Sequence, residues 1–342
     1  MMTSKCFRRL ARIITLTLIA ALVAFSFVFP AQSFAQQNRL FASVSGFTGS
    51  TSAPRFVAEV DIATRSVSEL FSVPVPPNNS FSFDQARDLV VDQDGNVLLY
   101  NGTFTPSLLS GNATDGVVDQ LQFAGLSTIN NTTFGGIARE GNFVYLTDQR
   151  TGGAPEQGIV RVNLEDNSFI RFAETIEPSD LNIGPDGVVF AIDGAGSPTN
   201  TVFRYDLETT ELISEVRVAF AGHRAVAGLA DGTFFTATSS GDIFHYDLDG
   251  SLLNSANVSG AFFADIDIAP DGQIALGTAG SGEVVLTDTT LRSFERFRIT
   301  ESSVGGNTFV AFATDFSAVP EPASGLILIP FGMLYSLRRK KS

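Results

Sequence analysis

The stretch Pro178-Ser-Asp-Leu-Asn-Ile-Gly-Pro-Asp-Gly-Val-Val-Phe-Ala-Ile-Asp193 decides the fold. It reads as a strand, a tight turn at Asp186-Gly187 and a second strand. The same unit recurs in Asp88-Leu-Val-Val-Asp-Gln-Asp-Gly-Asn-Val-Leu-Leu99 and in Gly136-Ile-Ala-Arg-Glu-Gly-Asn-Phe-Val-Tyr-Leu-Thr-Asp148. It appears twice more, over Ala225–Ala237 and Asp265–Leu276. The acids at the turns are Asp94, Glu140, Asp186, Asp231 and Asp271, spaced by 46, 46, 45 and 40 residues. A period of about 40–50 residues, long enough for four strands, predicts a propeller.

Each copy continues into a second hairpin, as in Val202–Ile213, Ile243–Leu253, Ile159–Ile170 and Val284–Phe294. One repeat is therefore expected to be a four-stranded antiparallel sheet, with the innermost strand the most continuously apolar. At the front of the body, Arg39–Ser45 and Arg55–Leu70 supply a second strand and an outer hairpin but no innermost strand. Asn307-Thr-Phe-Val-Ala-Phe-Ala-Thr-Asp315 supplies the missing piece from the far end. The expected fold is all-β: a six-bladed β-propeller over residues 36–318, closed by pairing the last strand with the first blade. Closure of this kind removes open edges. A seven-bladed ring is the less economical alternative, because Asn307–Asp315 is too short to make a blade. The segment Pro74–Asp84 is expected to be a surface loop.

The unit Asp-Leu-x-x-x-x-Asp-Gly-x followed by three apolar residues resembles the superfamily of NHL-repeat and gluconolactonase-like proteins, over Arg39–Phe316. The resemblance implies six blades. It implies no single activity, since that fold carries hydrolases, lyases and binding scaffolds alike.

The two ends of the chain direct its traffic. Lys5, Arg8, Arg9 and Arg12 precede an apolar run, Ile13–Phe29, and then Ser33-Phe34-Ala35. That order predicts a secretory signal peptide over residues 1–35, with an uncleaved anchor as the alternative. At the other end, Val319-Pro320-Glu321-Pro322 precedes a short apolar segment, Leu326–Leu337, and the basic stop Arg338-Arg-Lys-Lys341. Residues 319–342 resemble the PEP-CTERM sorting signal of Gram-negative bacteria. The resemblance implies cutting by an exosortase after a transient stage at the inner membrane, and release to the cell envelope, cell surface or outside. A plain C-terminal transmembrane anchor is the alternative reading.

Between the basic clusters Lys5–Arg12 and Arg338–Lys341 lie 14 basic and all 36 acidic residues, a net charge of −22. Such a body repels nucleic acid and attracts cations. The single cysteine, Cys6, lies in the leader, so the remainder has neither disulfide nor thiolate chemistry. Two histidines, His223 and His245, do not make a multi-histidine metal site.

Candidate sites follow from the residue opening each innermost strand: Asp88, Gly136, Asp180, Ala225, Asp265, and Thr308 or Phe309. The aspartates fall in alternate blades and are expected to converge on one mouth of the channel. Three convergent carboxylates need a cation or raise one another's pKa. Calcium suits an all-oxygen set. The competing expectation is that each aspartate accepts local backbone N–H bonds. Asp267 shares a face with Asp265 and extends the acidic lining. Arg87, His223 and Arg224 adjoin the same strand starts and form a candidate binding set for a small polar ligand or a sugar, or else are ordinary ion-pair partners. The gluconolactonase-like resemblance implies a divalent metal held by Glu, Asn and Asp, and the strand openings here offer only Asp. The leading functional expectation is an exported binding or matrix protein, with extracellular polysaccharide or a surface protein as ligand. A metal-dependent hydrolase or lactonase at the channel mouth is the alternative, and a ligand-free matrix filler is a third.

Overall fold

Alternating short apolar runs and Asp/Gly turns make strands the regular structure of the described residues. The computed structural model describes residues 39–46, 55–73, 86–101, 107–121, 135–148, 157–193, 200–300 and 306–314. The expected signal peptide, the sorting tail and the Pro74–Asp84 loop lie outside the described residues. Among the described residues no helix is long and apolar enough to cross a membrane.

The strands come in groups. β1 (Arg39–Gly46), β2 (Arg55–Asp61) and β3 (Ser66–Ser72) form the first. β4 (Ala86–Asp92), β5 (Val97–Asn101), β6 (Ser107–Asn112) and β7 (Gly116–Leu121) form the second. β8 (Ile137–Glu140), β9 (Phe143–Asp148), β10 (Gly158–Asn163) and β11 (Phe169–Phe172) follow. Then come β12 (Pro178–Ile183), β13 (Val188–Asp193), β14 (Thr201–Asp206) and β15 (Leu212–Arg217). β16 (His223–Gly228), β17 (Phe234–Thr238), β18 (Asp242–Tyr246) and β19 (Leu252–Asn257) make the next group. The last is β20 (Phe263–Ile268), β21 (Gln273–Thr278), β22 (Glu283–Asp288) and β23 (Glu295–Arg298), after which β24 (Gly306–Thr314) ends the ring.

The molecule is an all-β propeller. β24 pairs antiparallel with β1, from Leu40↔Phe312 to Gly46↔Gly306, so the end of the body completes its beginning. The sequence expectation of six separate blades is corrected on one point. Four sheets stand as separate four-stranded blades, and the other eight strands form one continuous sheet in the order β3-β2-β1-β24-β4-β5-β6-β7. The fusion is a short parallel pairing of β24 with β4, at Ala313↔Val91 and Thr314↔Asp92. β24 is nine residues long and outruns β1 far enough to reach its other neighbour.

The turns explain the repeat. At four of them the same bond closes the loop: Gly95 N–H to Asp92 O, Gly187 to Gly184 O, Gly232 to Leu229 O and Gly272 to Ala269 O, at 2.9–3.0 Å. Gly187 and Gly272 have φ of +76° and +87°, a region that costs a side-chain-bearing residue. Asp231 and Asp271 then accept the N–H two residues on, at 3.0 and 3.1 Å, which fixes the return strand.

The core sits between sheets. One buried cluster joins Phe190, Ile192 and Val202 to Val226, Phe234 and Tyr246 of the next sheet. Another joins Phe41 and Phe71 to Leu89 and Leu99, so the halves of the eight-stranded sheet also face each other across apolar side chains. Each fully buried Phe or Leu contributes about 1.5–3 kcal/mol. Second strands are buried without a break, as in β17 with Phe234 to Thr238 all buried. The closing inner strand β24 matches them with eight consecutive buried residues, so the expectation of an innermost apolar strand holds there and fails in inner strands such as β12 and β20. The inner strands carry polar residues, as in Pro178-Ser-Asp-Leu-Asn-Ile183, because one of their edges faces the axis.

Candidate functional site

An inner strand has a free edge, and its N–H groups there have no strand partner. Three aspartates meet that need. Asp88 in β4 accepts the N–H of Leu89 at 2.8 Å and, across to the next sheet, that of Ile137 at 2.8 Å. Asp180 in β12 accepts the N–H of Leu181 and that of Val226 in β16, the latter at 2.9 Å. Asp265 in β20 accepts the N–H of Ile266 at 2.8 Å and that of Val310 in β24 at 2.6 Å. A carboxylate has two oxygens and serves two strands, so one acid in every second inner strand is enough. That is a physical reason for the alternation Asp88, Gly136, Asp180, Ala225, Asp265.

A local irregularity aims these side chains. The pairing of inner with second strand slips just before the axial level, between Pro178 and Asp180, His223 and Ala225, and Phe263 and Asp265. β4 slips likewise between Ala86 and Leu89. Such a bulge turns the next side chain out of the sheet's alternation. The slips share no residue pattern, from Pro178-Ser179 to His223-Arg224 to Phe263-Ala264, so this feature escaped the sequence reading.

The three acids converge. Asp88, Asp180 and Asp265 are 4–5% exposed, and each offers an oxygen lying within 4.8 Å of the others. Gly136 leaves room for the approach, since a Cβ there would lie 2.5 Å from Leu181 N and 2.6 Å from Asp180 Oδ1. Burial raises the pKa of all three, and neighbouring charge adds to it: Asp265 and Asp180 at Asp88, Asp265 at Asp180, and Asp267 at Asp265. The Asp265 carboxyl is pushed up to about 7, with the accepted N–H bonds working against the shift. Asp88 and Asp180 are raised well above the ordinary range. Local N–H acceptance and convergence, posed as alternatives on sequence, are therefore both present in the same residues. The acids lie buried at the axis and not at an open mouth.

A second tier lies two residues further along the strands. Asp267 accepts the N–H of Ile268 at 2.9 Å and of Phe312 at 2.7 Å, and Asn182 hydrogen-bonds to it. Its carboxyl is pushed up to about 6, mainly by burial. Asn182 Oδ1 accepts the Gly228 N–H at 3.3 Å. A cavity of about 540 Å³ occupies the axis on the side of the Asp-Gly turns. Asp88 and Asp265 line its inner end, Asp267 its wall, and Glu140 and Arg139 lie nearer the turns.

The remaining predicted residues sit elsewhere. His223 is 3% exposed and packs edge-on against Phe244 and Tyr246 at 5.5 and 6.2 Å between ring centres. Burial pushes its pKa down to about 4. The backbone oxygens of Arg87 and Arg224 accept from Ser43 and Ser179, at 2.6 and 3.3 Å. The Arg87 side chain is itself buried. None of Arg87, His223 and Arg224 lines the axial cavity. Sequence reasoning missed a buried ion pair, Arg171 to Asp148 at 2.6 Å, whose partners are 23 residues apart on β11 and β9. The sorting residues Val319, Pro320, Glu321 and Pro322 lie outside the described residues.

No protein-family model matches the chain, and no curated protein matches its sequence. Solved structures do match in shape. A chain in the crystal structure of a nidogen/laminin complex is similar with a TM-score of 0.60 and 10% identity, over 81% of this chain and 99% of that one. A protein of unknown function from Bacteroides caccae is similar with a TM-score of 0.53 and 11% identity, over 80% and 98%. At such identities the likeness shows the propeller fold.

Proposed function

We propose that this chain is an exported binding or matrix protein of a Gram-negative cell envelope, whose propeller carries a cation at its axis. The basic-apolar-small order at residues 1–35 and the Val319–Pro322 tail support export, signal-peptidase cleavage and exosortase sorting. The observation that carries the cation reading is the meeting of Asp88, Asp180 and Asp265 within 4.8 Å. That span is about twice a calcium–oxygen distance of ~2.4 Å, and each oxygen keeps a lone pair beyond its N–H bond. Calcium is the ion this oxygen set fits. It would neutralise charge that is otherwise buried at the axis. The eight-stranded sheet is read as two blade equivalents joined at β24, which brings the ring to the six of the sequence repeat. The apolar cluster between its halves supports that reading.

Polysaccharide or a surface protein is the proposed partner. The matching nidogen/laminin complex supports a binding use of the fold in that other assembly. The hydrolase reading has one observation in its favour: the cavity that reaches Asp88 and Asp265 gives a ligand access to an ion there. The test is metal analysis and thermal unfolding of purified protein with calcium and with chelator. Calcium is expected to raise the melting temperature, and Asp180→Ala to remove that rise. Identical melting with and without calcium, in both proteins, sinks the cation site.

A further inference from the structure

The axial cavity is far larger than an ion. It holds about 540 Å³, the scale of an organic ligand. Its walls are mostly aliphatic, with Leu89, Ile137, Leu181, Ile266 and Val310 beside the acid level. The carboxylates of Asp88 and Asp265 lie at its inner end, and Asp267 is partly open to it. A site with an apolar tube and acids gathered at one end fits an amphipathic cation. We propose that the cavity binds a primary alkylammonium ligand, its nitrogen held at Asp267, the acid partly open to the cavity, and its chain laid along the aliphatic wall.

The chemistry is complementary. An ammonium head has three donors and no acceptor, and the Asp267 carboxylate keeps lone pairs beyond the two N–H bonds it accepts. A quaternary ammonium has no N–H to offer, and an alcohol has no charge to neutralise. The net charge of −22 between the two basic clusters draws cations toward the channel. This inference rests on reading the axial acids as a cation site, but names another cation and another acid. Asp180 belongs to the convergent trio and does not line the cavity, whereas Asp267 lines the cavity and stands outside the trio.

The experiment is thermal unfolding and calorimetric titration of the purified full chain at fixed ionic strength. The probes are methylammonium, butylammonium, hexylammonium, tetramethylammonium, hexanol and calcium. Primary ammonium ions are expected to bind about fourfold more tightly per added methylene until the cavity is filled. Hexanol and tetramethylammonium are expected to leave the melting curve unmoved. Asp267→Asn is expected to abolish hexylammonium binding and spare the calcium shift. The chain-length series on unaltered protein decides the matter even if that variant fails to fold. No dependence on chain length, or hexanol acting as well as hexylammonium, overturns the inference. A calcium shift with no amine shift overturns it and leaves the trio's cation site standing. A flat response to all probes overturns both.

Discussion

The two tiers of the axis solve the same problem unequally. In the first, Asp88, Asp180 and Asp265 accept six N–H groups from six inner strands. In the second, Asp267 accepts two and Asn182 one, and Val90 and Ala138 stand where a further polar residue would. The difference lies in the acceptor. A carboxylate has two oxygens and joins two sheets, whereas an amide has one and joins a single strand. The first tier thus works as a stitch between neighbouring sheets, at the cost of three buried acids at close quarters. The second tier is looser, and it is the tier that opens on the cavity.

The sharpest way to break this distinction is to remove one stitch. Asp265→Ala leaves the N–H groups of Ile266 and Val310 buried without their acceptor. Each orphan costs about 1–3 kcal/mol, and relief of charge repulsion returns part of it, so a net loss of about 2–4 kcal/mol is expected. Denaturant unfolding measures it, with the slope unchanged. Asp265→Asn keeps one acceptor and is expected to lose about half as much. Gly136→Ala attacks the same tier by bulk alone, since its Cβ would press on backbone at 2.5 Å. It is expected to cost about 1–3 kcal/mol. A melting curve unmoved by Gly136→Ala means that the tier is slack.

Charge gives the next contrast. The acids of both tiers have native pKa values above the 3.8 of an ordinary Asp, about 7 for Asp265 and about 6 for Asp267. The native state therefore binds more protons than the unfolded chain between these values. Stability from these groups is present at low pH and is lost as pH rises from about 4 through the native pKa values. The slope is up to about 1.4 kcal/mol per pH unit for each acid. Ligand-free protein is expected to melt lower at pH 7 than at pH 5. Asp267→Asn is expected to flatten the part of the profile up to about pH 6, and Asp265→Asn the part up to about pH 7. A cation bound at the axis favours the ionised acids, so saturating calcium is expected to cancel the slope. A chelated protein with no pH dependence over this range would show that the acids are better solvated than their burial implies.

Much of the propeller was legible because its turns are local chemistry. Asp-Gly pairs such as Asp186-Gly187 combine a side-chain acceptor with a backbone that tolerates positive φ, and both properties belong to the residue type. The three acids were legible from their places at alternate strand openings. The inner strand was misjudged because apolar runs report burial on two faces and are silent about a free edge. Only tertiary position makes Pro178–Ile183 the strand whose N–H groups need side-chain partners. The bulges at the axial level have no composition signal. The Arg171–Asp148 pair depends on β9 and β11 lying either side of β10, a spacing no local pattern announces. The fused sheet turns on two residue pairs at the end of β24.

The smallest expected effect tests the weaker tier. Asn182 accepts from Gly228 at 3.3 Å, a long bond in a partly buried place, and it also bonds Asp267. Asn182→Ala leaves one N–H that water in the cavity can reach, so its cost should stay below about 1 kcal/mol. It also withdraws a bond that favours the ionised form of Asp267, so the Asp267 pKa should climb. The pH at which stability stops falling should then move upward, while the trio's calcium response stays as it was. A loss as large as that of Asp265→Ala would mean that the two tiers are one structural unit, with the cavity wall as tightly stitched as the floor.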